Sequence, residues 1–282
     1  LSSYSADIDF DIVDTAQAIA AEVTGTDIRD GSTNSANDLD DAGHIFITGG
    51  SVNVADANVI QNISGYDAGS SEFNIADNSA AVISATDSVL TDGNIHVDVT
   101  NMVGASDGAI LNAYSADIDF TVSDVAANIA AEVMGASNAA TDLDDAEAVI
   151  VESGSAVTVE EAAAIQGISG YSGAGDLDIE DTAAALISAG DTVLNQTGVD
   201  HVKASDSSVL ASVGAQLNGY TAEIEFDVQD TADAIATNAA NLGEADDVIV
   251  VSGGADVTVS QAESIQNLSG YDAGSSEFNI AD

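Results

Sequence analysis

Every second residue from Asp7 to Asp11 is an acid, with Ile8, Phe10 and Ile12 in between. Alternate residues of a strand share a face, so "DIDFDI" would present a row of carboxylates on one side and a core stripe on the other. The pattern returns at Asp117 and Asp119, at Asp176, Asp178 and Glu180, and at Glu223, Glu225 and Asp227. Hard cations want clustered oxygens, so such faces could gather Ca²⁺. A solvated acidic face that keeps a secreted protein soluble is the competing reading. A second pattern places three carboxylates within four residues: Asp38, Asp40 and Asp41; Asp142, Asp144 and Asp145; Glu244, Asp246 and Asp247. These runs look like the start of a calcium loop, but they lack the Gly and distal Glu that complete an EF-hand. The expected metal-binding residues are therefore Asp7, Asp9, Asp117 and Asp119 on strands, with Asp38, Asp40, Asp41, Asp142, Asp144 and Asp145 in loops. Ca²⁺ is the expected ion.

Other chemistry finds less support. His44, His96 and His201 fall near strand starts, and 105 residues separate the last two. They read as exposed strand residues, not as shared ligands. No Gly-x-Ser-x-Gly elbow appears, and acid pairs are too common for a glycosidase-like pair to stand out. The chain is read as a non-enzyme. Its 49 acids face only two bases, Arg29 and Lys203, for a net charge of −47. That balance repels nucleic acid and anionic membranes. High salt or divalent cations would relieve the self-repulsion, which suggests an extracellular setting or a halophilic cytoplasm. There is no Cys to form disulfides, no Pro, and no apolar run long enough to span a membrane.

The elements that carry these acids recur. "IQNISGYDAGSSEFNIAD" from Ile60 returns from Ile265 as "IQNLSGYDAGSSEFNIAD", with one change in eighteen positions and an offset of 205 residues. Tyr4, Tyr66, Tyr114, Tyr171, Tyr220 and Tyr271 open successive blocks, approximately 4–65, 66–113, 114–170, 171–219, 220–270 and a partial 271–282. Each block reads in two halves, and each half holds a strand followed by a short helix. In "DTAQAIAAEV" the apolar Ala16, Ile19, Ala20 and Val23 recur at helical spacing. Asp14, Asp181 and Asp230 stand where an N-cap belongs. Tandem strand–helix units of this size predict an α/β repeat solenoid of stacked coils with a continuous parallel sheet. A right-handed, β-helix-like solenoid is the alternative, suggested by Gly corners such as Gly253–Gly254, where an ordinary hairpin competes. The whole of 1–282 reads as one tandem-repeat array, excerpted from a longer protein.

At "VSDVAANIAAEV", "VQDTADAIATNA" and "SAVTVEEAAAIQGISGY" the sequence resembles the repeat regions of very large type I-secreted, adhesin-like bacterial surface proteins with "DTAANIA"-type repeats. The resemblance implies a cell-surface or matrix location, adhesion or filament formation, and calcium dependence. The expected function is a structural segment of an extracellular filament, surface layer or adhesin stalk that associates with itself and tolerates high salt. The alternative is an acidic module that binds cations or a ligand. The expected partners are further copies of itself and cations, without nucleic acid or membrane insertion.

Overall fold

The computed structural model describes residues 10–25, 39, 42–135 and 143–281. In chain order the elements begin with β1 (Asp11–Asp14), α1 (Ala16–Thr24), β2 (His44–Val52), α2 (Val54–Gln61), β3 (Glu72–Asp77), α3 (Ser79–Ser84) and α4 (Asp87–Leu90). Next come β4 (Asn94–Val99), α5 (Ala105–Asn112), β5 (Ile118–Asp119), β6 (Thr121–Val125), α6 (Ala126–Met134), β7 (Ala148–Glu152) and α7 (Val159–Gln166). The chain continues with β8 (Tyr171–Gly175), β9 (Leu177–Asp181), α8 (Ala183–Ala189), α9 (Asp191–Leu194), β10 (Val199–Ala204) and α10 (Ala211–Leu217). It closes with β11 (Ile224–Glu225), β12 (Val228–Thr231), α11 (Ala232–Asn238), β13 (Val248–Val251) and α12 (Val259–Gln266). Two compact units are distinguished: Leu1–Ser123 with Thr141–Val149, and Asp124–Ala140 with Ile150–Asp282.

The fold is α/β, with short parallel strands in several sheets. The ladder is not continuous: its strands fall into the orders β1–β2–β3–β4–β5, β6–β7–β8, β9–β10–β11 and β12–β13. Within each sheet, paired strands are consecutive in sequence. The breaks share a physical cause, because the strand in the first half of a block changes partner partway along. Ile118 pairs with Val97 of β4, whereas Val122 bridges to Val103. Between them Phe120 turns into the core and is 1% exposed. The same hand-over separates β11 from β12 at Phe226.

The Gly corners are not hairpins. Val157 bridges in parallel to Ile179, and Val257 to Ile280, so each piece beyond the corner pairs onward with the next coil and not back onto its own strand. Period two holds on the strands: Ile118, Phe120 and Val122 are buried, while Asp119 and Thr121 are not. Phe10 and Ile12 are half-buried, and Ile8 lies outside the described residues. On α1 the buried residues are Ala16, Ile19, Ala20 and Val23, the stripe expected from helical spacing. The buried residues are accordingly mostly small and branched side chains, with Phe73, Phe120 and Phe226 as the large exceptions.

The expected N-caps are shifted by one residue. Thr15 and Thr182 cap α1 and α8, accepting from the N–H groups of Ala18 and Ala185, and Thr231 stands at the cap of α11. The preceding aspartate has a different task. Asp181 Oδ1 accepts from the Thr182 N–H at 2.7 Å, and its Oδ2 accepts from the N–H of Val159, the first residue of α7 in the coil before. Asp77 does the same for Val54 at the start of α2, and Asp230 for Ala211 at the start of α10. Asp206 and Asn101 serve Ala183 and Ser79. The first amides of a helix have no partner within that helix and favour a negative charge nearby. Here the acceptor comes from the next coil.

The opposite ends of the coils are tied in the same repeating way. Tyr114 donates to the Ile83 carbonyl at 2.7 Å, and Tyr220 to that of Ile187 at 2.8 Å. Beside them Ser115 and Thr221 donate from backbone and hydroxyl to Asp87 and Asp191, the first residues of α4 and α9. Tyr114-Ser115 and Tyr220-Thr221 thus bind back to the helices that precede them, whereas the buried hydroxyls of Tyr66 and Tyr171 make no such bond.

Candidate metal centre

The acidic rows meet a base at β4. His96 points from the exposed face of this strand, with Asn74 opposite it on β3 and the Asp117–Asp119 segment on its other side. Its Nε2 lies 3.0 Å from Asp119 Oδ2 and 3.3 Å from Asp98 Oδ1, and its Nδ1 lies 3.7 Å from Asp117 Oδ2. The backbone fixes this geometry. Val97 and Ile118 are buried and in register, and Asp98 faces Asp119 across the same ladder. Flanking residues of each strand must then leave the sheet on the solvent side. Partial burial disfavours the imidazolium, but Asp119, Asp98 and Asp117 outweigh it and raise the His96 pKa above its ordinary value.

Among the described residues, His96, Asp117 and Asp119 form the group of three or more ligand-type side chains whose donor atoms lie within 4.8 Å of one another. One imidazole nitrogen and two or three carboxylate oxygens can hold a divalent cation, or a proton shared as an ion pair. Of the residues expected to bind metal, Asp117 and Asp119 are therefore brought together. Asp144 and Asp145 are not part of such a group. They form a turn between Leu143 and Ala146, both buried, and the Asp145 N–H donates to Asn112 Oδ1 at 2.9 Å. Leu143 plugs the core, so the acids beside it are left on the outside. The related run repeats this, with Leu242 buried and the Glu244 N–H donating to Asn218. Asp7, Asp9, Asp38, Asp40, Asp41 and Asp142 lie outside the described residues.

A second copy of the constellation occurs 105 residues on, with altered chemistry. His201 Nδ1 lies 3.2 Å from Glu225 Oε1, and Lys203 takes the place that Asp98 holds beside His96. Lys203 is in register between Glu180 and Glu225, so a cation already stands between two acid rows. Nearby, burial and the carboxylates of Glu225, Asp227 and Asp247 raise the Asp246 pKa, with Lys203 relieving part of the effect. His44 differs again, stacking on Phe46 with ring centroids 5.7 Å apart.

Reading the histidines as exposed strand residues fits His44 and His201 but missed the grouping of His96 with Asp117 and Asp119. The available signal was the Asp-Ile-Asp of the next coil, which a sequential parallel register brings alongside it. Comparison with known proteins finds no matching family, curated protein or solved structure. No helix among the described residues is long and apolar enough to cross a membrane.

Proposed function

We propose that this chain is a structural repeat segment of an extracellular filament, surface layer or adhesin stalk, and that the coils of each unit are stretches of an α/β solenoid. The observation that carries this reading is the cross-coil cap: the same side-chain acceptor, at the same block position, completes the helix of the coil before it. A device that only a neighbouring coil can supply suits a protein built by repetition. The resemblance to adhesin-type repeats supports the same reading, as does a charge of −47 that discourages unspecific association. On this view the acids are mostly outward-facing residues of recurring coils, and the chain performs no catalysis. Its partner is a further copy of itself, joined end to end or side by side.

Electron microscopy of the chain and of a tandem dimer tests this. The expectation is an extended particle that lengthens by about 4.8 Å for each added coil. A compact particle whose diameter merely grows with mass overturns it. The alternative, an acidic surface that binds cations, is favoured by one specific feature, the carboxylates gathered around His96.

A further inference from the structure

We propose that His96, Asp117 and Asp119, with Asp98 as an additional donor, form a site for a single divalent cation of the zinc class, not for Ca²⁺. The donor set is the first argument. Ca²⁺ takes six to eight oxygens and has no use for an imidazole. A nitrogen among carboxylate oxygens suits Zn²⁺ and the neighbouring late transition metals. Distance is the second. Bonds of about 2.0–2.1 Å in a tetrahedral site put neighbouring ligand atoms roughly 3.3 Å apart. The separations from His96 Nε2 to Asp119 and Asp98 are 3.0 and 3.3 Å, so the side chains need little rearrangement. Orientation is the third. With Nε2 toward Asp119 and Asp98, Asp117 stands 3.7 Å from the ring's other nitrogen, so three carboxylates border the one imidazole.

Charge adds a fourth argument. Three carboxylates converge here, and a protonated imidazole supplies one positive charge against them. A divalent ion neutralises more of that charge while leaving the ring neutral. The second copy supplies a comparison within the same chain. Around His201 the residue matching Asp98 is Lys203, which puts a positive charge in register between Glu180 and Glu225, and Glu223 and Glu225 replace the shorter aspartates. The same scaffold therefore carries one site of acids around a histidine and one in which a lysine stands where an acid would be.

The experiment follows the ring nitrogens of His44, His96 and His201 by NMR in the ¹⁵N-labelled chain, titrated with Zn²⁺ at physiological ionic strength and with excess Ca²⁺. Excess Ca²⁺ occupies the unspecific acidic surface. The expected result is that one ring nitrogen of His96 shifts and saturates at one equivalent, while His44 and His201 stay in place. Asp119→Asn weakens that binding at least tenfold, in line with the roughly 10–100-fold losses seen when supporting groups of metal sites are removed. Asp98→Lys, which installs the residue found in the second copy, abolishes saturation at one equivalent. The proposal is overturned if all three rings shift in parallel, if Ca²⁺ alone prevents the His96 shift, or if His96→Gln binds Zn²⁺ as tightly as the parent chain. Because this assay reports on side chains, it is independent of whether the chain forms an extended particle.

Discussion

Among the described residues, His96 is the histidine that three aspartates surround. It faces Asp98 on its own strand, Asp117 and Asp119 on the next, and uncharged Asn74 on the other side. In metal-free buffer its titration midpoint should lie above about 6.5, and Asp119→Asn should lower it; a midpoint at or below the ordinary value would contradict the geometry. The sign for stability follows from the raised value. The ring's contribution is complete below about pH 6.5 and fades as pH rises through the folded midpoint, because the folded state then holds the extra proton. Tyr66 makes a second case. Burial, helped by the carboxylates of Asp92 and Asp67, pushes its phenol up to about 12. A spectrophotometric titration should show Tyr66 ionising well after a free phenol, with Tyr171 also delayed by burial, and stability falling as pH rises between about 10 and about 12. The sequence did reveal Asp117 and Asp119 as ligand-type residues on an exposed face. It did not reveal His96 as their companion, because ligand spacing along a chain says nothing until the register between strands is known. Asp144 and Asp145 mislead for the opposite reason. They are dense in sequence, yet Leu143 anchors the turn, and among the described residues they join no group of metal-type ligands.

At the level of elements, alternating strands and the apolar stripe of α1 were legible because periodicity reports burial directly. The cap aspartates were not, because their second acceptor oxygen serves a helix more than twenty residues away. Asp181→Ala should therefore destabilise the chain by about 1–2 kcal/mol in urea unfolding. It should also speed amide exchange at Val159 in the preceding coil, a change that a merely local cap would not produce. Asp181→Asn, which keeps an acceptor, should cost less. Gly175 is an equally specific point. Its φ is +99°, and a β-carbon there would collide with the Val151 carbonyl, the acceptor of the Asp176 N–H. Gly175→Ala should cost at least about 2 kcal/mol, from the strained backbone and the lost approach together. An unchanged denaturation midpoint would show that the corner relaxes freely.

For the molecule as a whole, the acids dominate. Adjacent strands lie about 4.8 Å apart, well inside the Debye length of about 10 Å at 0.1 M salt and comparable with the roughly 3 Å at 1 M. Raising salt from 0.05 M to 1 M should therefore raise Tm, by roughly 4–8 °C if screening contributes about 2 kcal/mol. A Tm that falls or stays level over this range would mean that the lone bases already balance the face. Lys203, held in register between Glu180 and Glu225, relieves one place only. The 205-residue recurrence announced tandem construction from sequence alone, whereas the division of the ladder into four sheets did not show there. A strand's change of partner depends on where its backbone turns, and Phe120 or Phe226 reads in sequence as one more core residue.

The cross-coil aspartates also give the array a direction in time. A coil leaving the ribosome has a helix whose first amide is still open, and it is sealed only when the following coil has been made and has docked. The first amides of α2, α3, α7, α8 and α10 thus gain their acceptor only from chain that follows them. In this chain the residue matching Asp77 after α12 is Asp282, which lies outside the described residues. Removing such an acceptor should accordingly loosen the helix that precedes it more than the one that follows.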